Sequence, residues 1–353
     1  MRLLWFNLAT DIDDPILGFT SSWIREMARR VEFIHVITMR AGRVNLPKNV
    51  KVYSVGKEKG YSELRRAIEF YRHLFRVLRN DQIDACFSHM IPIFTILAAP
   101  ILKAKSIPIV TWYAHRQVTP ILKLAHHLSN RVVASAETSY RYKHDKLVVL
   151  GQGIDTNLFS PDDTQPDNPP LLLSVGRISP IKDPLTLIEA VRVLQQQGYK
   201  VHCALVGEAP EGDRAYAEKV RQRASDLGLE GVVQFVGAVP NQQVVQWYRR
   251  CFAHINLCPT GALDKAALEA MACARPSFVA NEGFRETLGP WAADLVFRHS
   301  DAQNLAQKLE NLLKMAKRKL QTMGEELRQN VLKLHSLNRL VERLLILFDE
   351  VTR

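Results

Sequence analysis

Between residues 171 and 280 the chain alternates, without interruption, between strand-length apolar runs and helix-length amphipathic ones. The runs at 171–175, 202–206, 232–236, 253–257 and 276–280 are separated by segments at 184–197, 214–227, 241–249 and 264–272 with helical periodicity. Strands joined by helices of this length run parallel, so the pattern predicts an α/β, doubly wound sheet with helices on both faces. Such a sheet binds ligands outside the carboxyl ends of its strands. The loops after these five runs are therefore where function is expected.

The N-terminal half repeats the scheme. About six strands fall among 2–9, 31–39, 50–55, 85–88, 107–112, 131–135 and 146–150. Trp23, Ile24, Met27 and Ala28 mark a helix over 21–30, and Gly18 stands where its loop meets that helix. Over 61–79, Leu64, Ile68, Tyr71, Leu74, Phe75 and Leu78 predict one apolar face, with Arg65, Arg66, Arg72, Arg76 and Arg79 crowded elsewhere. That segment is either a helix packed on a sheet or a basic element touching a membrane or a polyanionic acceptor. His89 and His115 follow two of the strands, at the ligand-binding end of a parallel sheet. A Pro- and Asp-rich passage from Asp155 to Pro170 breaks both periodicities and reads as a linker. At 353 residues the chain exceeds one ordinary core. Two Rossmann-like domains facing a cleft are expected at 1–161 and 162–330, with a C-terminal helix at 331–353 whose apolar stripe packs back toward the N-terminal domain.

Charge narrows the partners. Residues 1–161 hold 23 Lys and Arg against 13 Asp and Glu, and the remainder 24 against 23, so the net +11 is concentrated in the first half. A basic face favours an anionic membrane surface, a phosphate-bearing acceptor or nucleic acid, unless it is merely solubilising. The five cysteines form no C-x-x-C pair and lie mostly in apolar runs, which fits buried thiols in a reducing compartment. No apolar run reaches the about 18 residues of a membrane span. The opening Met1–Ala9 is too short for a signal core, so a cytoplasmic protein is expected.

Two short pieces carry the chemistry. The run ending at Gly176 opens into a loop with Arg177 and Lys182, and Thr260-Gly-Ala-Leu-Asp-Lys reads as a turn feeding a helix. Helix starts expose free N–H groups and a positive dipole end, so two cations beside them suggest a diphosphate site. At this point the residues resemble a known family. Ser-Val-Gly-Arg177 with Lys182, Ala-Leu-Val-Gly207-Glu, Val-Val-Gln-Phe-Val-Gly237-Ala-Val-Pro240 and Leu-Glu269-Ala-Met-Ala-Cys-Ala-Arg-Pro276 look like the retaining GT-B glycosyltransferases of family four, the glycosyl transferases group 1. Val149-Leu-Gly-Gln-Gly153-Ile-Asp155-Thr-Asn-Leu-Phe159 is similar to that family's interdomain segment.

The resemblance implies transfer of a sugar from a nucleotide-diphosphate sugar to a hydroxyl of a glycan or lipid-linked acceptor, with no cofactor, no metal and no nucleic acid. The basic first half favours an acceptor of cell-surface polysaccharide or lipopolysaccharide synthesis, with the protein at most peripheral on the inner face of the membrane. Arg177 and Lys182 would stabilise the departing diphosphate, each by ~2–4 kcal/mol. Gly18 would let a loop close on the diphosphate, His115 would lie near the sugar, and Glu269 would accept from the ribose hydroxyls unless it forms a core-facing salt bridge. Gly176, Gly207, Val236, Val239, Gly261, Ala262 and Leu263 would line the donor. No covalent nucleophile is implied, since the departing phosphate helps take the acceptor proton.

One departure matters. The family's glutamate eight positions before Glu269 is here Gly261, and Ala262-Leu263-Asp264 replace its Gly-Phe-Gly. Lys265 would then reach a phosphate and Asp264 a sugar hydroxyl, unless Asp264 simply caps the helix. The same departure keeps open a GT-B scaffold that binds nucleotide or glycan without turnover. An epimerase on this scaffold lacks a clear acid/base carboxylate pair.

Overall fold

A computed structural model describes residues 1–14, 17–115 and 117–353. The first half runs β1 (Arg2–Thr10), α1 (Phe19–Ala28), β2 (Phe33–Ala41), β3 (Val50–Ser54), α2 (Glu63–Asn80), β4 (Ala85–His89), α3 (Pro92–Ala104), β5 (Ile109–Trp112), α4 (Pro120–Leu128), β6 (Arg131–Ala134) and β7 (Leu147–Val149). The second runs β8 (Leu171–Val175), α5 (Pro184–Gln196), β9 (His202–Val206), α6 (Arg214–Asp226), β10 (Val233–Gly237), α7 (Asn241–Arg250), β11 (Ala253–Asn256), α8 (Lys265–Ala272) and β12 (Ser277–Val279). Short α9 (Arg285–Leu288) and α10 (Ala292–Leu295) lead to α11 (Ala302–Leu313), α12 (Lys317–His335) and α13 (Leu337–Thr352).

Two compact units result, Met1–Gly153 with Leu337–Arg353, and Ile154–Ser336. The first holds a seven-stranded parallel sheet in the order β3-β2-β1-β4-β5-β6-β7. Along β1, Leu3 and Trp5 face one core and Leu4 and Phe6 the other, the period-two alternation of a central strand buried on both sides. Trp23, Ile24, Met27 and Ala28 of α1 join the Trp5 side, as their spacing predicts. The apolar stripe of α13, from Leu337 to Phe348, buries itself in that same core, with Phe348 edge-on to Phe87 at 5.9 Å.

Three expectations are corrected. The boundary falls at 153/154 rather than 161/162, because the Pro- and Asp-rich passage is held by the second unit. Asp162 pairs with Arg249 at 2.9 Å, Asp167 with Arg250 at 2.8 Å, and Phe159 is buried against Tyr248. The last helix begins at Leu337, not 331, since α12 runs to His335 and packs on α8 within the second unit. The buried face of α2 is Phe70, His73, Leu74 and Val77, whereas Leu64, Ile68 and Phe75 are exposed. Phe70 wins that contest because it meets Phe6 and Phe94, at 5.5 and 4.5 Å between ring centroids, on the sheet side. Among the described residues no helix is long and apolar enough to cross a membrane.

Candidate active site

The second sheet is parallel in the order β10-β9-β8-β11-β12, so the direction of winding reverses between β8 and β11. Two crossovers leave that point toward opposite edges and open a crevice at the carboxyl ends of the two strands, where a ligand can sit. The loops that border it are 176–183 and 257–264, the two pieces singled out from sequence.

Glycines make the approach possible. Gly176 N–H donates to the Val206 carbonyl at 2.9 Å, and Gly207 N–H to the Gly237 carbonyl at 2.8 Å, which stitches three strand ends together. Gly207 adopts φ +137°, and a Cβ there would lie 2.1 Å from the Gly176 carbonyl oxygen. Neither the conformation nor the space admits a side chain. Arg177, next in the chain, is exposed at the mouth, its loop fixed by Ile178 N–H donating to the Glu208 carbonyl at 3.1 Å.

Lys182 closes a short 3₁₀ turn, Pro180–Lys182, and donates from Nζ to Oδ2 of Asp264. That carboxylate also accepts from Asn256 Nδ2 at 2.9 Å, while its Oδ1 caps α8 by accepting from Ala266 N–H at 3.2 Å. Cys258 Sγ lies 3.5 Å from Oδ2. Burial opposes charge on both partners. For Lys182 the Asp264 carboxylate and Cys258 outweigh it and raise the ammonium, and for Asp264 the Lys182 and Asn256 contacts hold the carboxyl well below its usual range. Both remain charged at neutral pH. Burial pushes the Cys258 thiol up to about 11.

Of the two roles open to Asp264, the structure shows the cap, and adds an ion pair. The start of α8 is thus occupied by a carboxylate of the chain itself rather than left open.

Residues 155–330 match the sequence pattern described as glycosyl transferases group 1. Through its second unit, the chain belongs to the glycosyl transferases group 1. A D-inositol 3-phosphate glycosyltransferase of Frankia alni is 27% identical over 206 residues, 53% of this chain and 51% of that protein. The chain spans about half the length of the curated relatives it matches, or less. Among solved structures, Anabaena HepE in complex with UDP superposes with a TM-score of 0.79 at 16% identity, covering 99% of this chain and 100% of that one. The lipopolysaccharide outer core galactosyltransferase WaaB gives 0.66 at 14% identity over 99% and 100%. These likenesses establish the fold, two Rossmann-like α/β units of the GT-B kind.

The other positions singled out from the sequence fall as follows. Glu269 is 7% exposed, and its Oε2 accepts from the Tyr248 hydroxyl at 2.9 Å. Lys265 lies one turn before it on α8 with its Nζ buried in the interior rather than open to a phosphate, and the Glu269 carboxylate acts on its charge there. Burial pushes Lys265 down and Glu269 up, and two groups this close share one titration. Gly261 and Leu263 are buried, and the Ala262 carbonyl accepts from Asn281 Nδ2 at 3.0 Å, tying this loop to the one after β12. Val236 and Val239, half-buried, stand at the end of the edge strand β10.

Gly18 and His115 belong to the first unit. Gly18 N–H donates to the Asp14 carbonyl at 3.0 Å, and a Cβ at this position would come within 2.6 Å of that oxygen. His115 is exposed and its Nδ1 accepts from Gln117 N–H at 3.1 Å. Sequence reasoning missed Asn256 and Tyr248, which orient the two carboxylates. The only signal for Asn256 is a polar residue ending an apolar strand, and Tyr248 gives none.

Proposed function

We propose that the protein is a retaining glycosyltransferase that moves a sugar from a nucleotide-diphosphate sugar to a hydroxyl of a glycan or lipid-linked acceptor. The observation that carries this is the placement of Arg177 and the Lys182–Asp264 pair at the β8/β11 reversal of the unit that matches group 1. Breaking the sugar–phosphate bond puts growing negative charge on the leaving diphosphate. Preorganised cations lower that barrier most, because they need not reorganise as the charge appears. Lys182 is held in one orientation by Asp264, and Arg177 adds a second cation at the exposed edge.

In this reading neither cofactor nor metal is required, the two cations supplying the charge. Glu269, steadied by Tyr248, takes the ribose, while Gly18 and His115 keep the diphosphate and sugar roles that the family resemblance assigns. The similarity to WaaB and the basic first unit favour an acceptor of cell-surface polysaccharide or lipopolysaccharide synthesis, met on the inner face of an anionic membrane. Nucleic acid is not a partner in this reading.

A second reading, a scaffold that binds nucleotide without turnover, is favoured by Gly261 and by the capture of Lys182 by Asp264. One experiment separates them. Thermal shift against UDP, GDP and ADP, each with and without sugar, identifies the donor, since a ligand that binds only the folded form raises the melting temperature. Slow donor hydrolysis is then measured with and without EDTA. Hydrolysis that survives EDTA and falls in Lys182→Ala supports transfer; binding with no hydrolysis in either protein supports the scaffold.

A further inference from the structure

The first unit carries the whole net charge. It holds 26 Lys and Arg against 15 Asp and Glu, a net of +11, while the second holds 21 of each. On one face of its sheet α2 and α3 share a core, joined by the Tyr71 hydroxyl donating to the Leu97 carbonyl at 3.2 Å, and α4 packs beside α3. These three helices bear seven Lys and Arg against two acidic residues, and α3 and α4 bear no acid at all.

Helix α2 has two apolar stripes. The inner one fills the core. The outer one, Leu64, Ile68 and Phe75, is 74, 58 and 56% exposed and spaced by four and seven residues, so it lies along one face. Exposed Arg65, Arg72, Arg76 and Arg79 interleave with it. Ile93 on α3, with Ile121 and Leu124 on α4, is exposed as well. Six of the ten exposed large apolar side chains among the described residues thus sit on this one layer.

Single exposed apolar residues need no explanation, but a stripe of them set among arginines does. Arg72 pairs with Glu69 and Arg65 lies over the Tyr61 ring, but a dry protein interface would bury Arg76 and Arg79 at a cost unless it supplied acidic partners. An anionic lipid surface suits both halves of the pattern. Phosphates of the headgroups meet the arginines, and the acyl boundary takes the aliphatic and aromatic side chains.

We propose that the outer face of α2, with the exposed ends of α3 and α4, docks the protein on anionic lipid bilayers. Leu64, Ile68 and Phe75 enter the headgroup boundary while the helix lies in the membrane plane. This rests on the membrane partner proposed above, and does not depend on sugar transfer.

The test is flotation of the full chain with phosphatidylcholine vesicles, with and without 30 mol% phosphatidylglycerol, at about 0.15 and 0.5 M NaCl. The expected result is binding to the anionic vesicles only, weakened by salt. Ile68→Ser/Phe75→Ser and Arg76→Ala/Arg79→Ala each lose about tenfold or more, with melting temperature and nucleotide-induced thermal shift unchanged. Equal binding to neutral vesicles, or binding indifferent to both variants, overturns the proposal. So does a dimer in solution that Ile68→Ser/Phe75→Ser dissociates, which would assign the face to a second copy. Loss of the nucleotide shift in the parent protein would instead count against the transferase reading and leave the lipid result standing.

Discussion

The two units share one winding scheme and differ in where they keep their charge. In the first, the excess charge is positive, and Arg65, Arg72, Arg76 and Arg79 of α2 carry part of it on the surface. In the second, net charge is zero and opposite charges meet beside the strand ends, as Lys182 with Asp264. The difference teaches how a repeated fold divides labour. Paired charges in a partly dry crevice cost desolvation, which an anionic ligand repays only by specific contact. Single-sign charge on a wet surface costs little and acts at range, screened within about 8 Å at physiological salt. The group 1 pattern, at 155–330, falls in the unit with the paired charges.

The strongest way to break the comparison is to remove the inner cation. Lys182→Ala should cut donor turnover by about 10²–10³, an effect of ~3–4 kcal/mol for a preorganised charge stabiliser. It should also destabilise the second unit, because Asp264 is left charged with Asn256 and its cap as remaining partners. Adding Asp264→Asn separates the two effects. The double variant is expected to recover melting temperature without recovering turnover; recovery of both would make Lys182 a structural residue. Vesicle binding should not change in either protein.

Next in size is a difference in acid response. His254 is fully buried on β11, with Nδ1 bonded to Ser277 at 2.8 Å, and burial pushes its imidazole down to about 3. The unfolded chain takes a proton near pH 6.5 and the folded one does not. Its contribution is therefore fully present above pH 6.5 and is lost as pH falls toward 3. At pH 4 the loss is about 3 kcal/mol. His254→Leu should flatten that part of the acid limb in the second unit alone, read by hydrogen exchange resolved along the chain. An equal loss of protection in the parent and His254→Leu between pH 7 and 4 would remove His254 as the cause.

What could be read beforehand divides along the same line. The glycine-bearing strand ends were legible because a backbone approach such as that of Gly207 to Gly176 leaves no alternative residue. The apolar stripe of α13 was legible because it demanded a surface, and it found the core of the first unit. The pairing of Lys182 with Asp264 was not, since 82 residues separate them and only the folded sheet brings their loops together. Periodicity also failed to choose between the two stripes of α2. Both have helical spacing, and the one that faces the sheet is decided by Phe6 and Phe94, which are remote in sequence.

The smallest effect tests how the inner carboxylates are set. Tyr248→Phe removes the hydroxyl that donates to Glu269 and leaves a buried carboxylate with one partner fewer, at a cost of about 1–2 kcal/mol in stability. Its consequence for binding is selective. If Glu269 holds the ribose, its Oε2 is oriented by that hydroxyl, so the variant should lose part of the preference for a ribonucleoside diphosphate over its 2′,3′-dideoxy analogue. Affinity for the dideoxy compound itself should stay within about twofold, because the proposed diphosphate contacts of Arg177 and Lys182 do not involve Tyr248. Equal weakening of both ligands would mean that Tyr248 supports the fold of the crevice as a whole. Loss of discrimination alone would place Glu269, despite its 7% exposure, in contact with the donor.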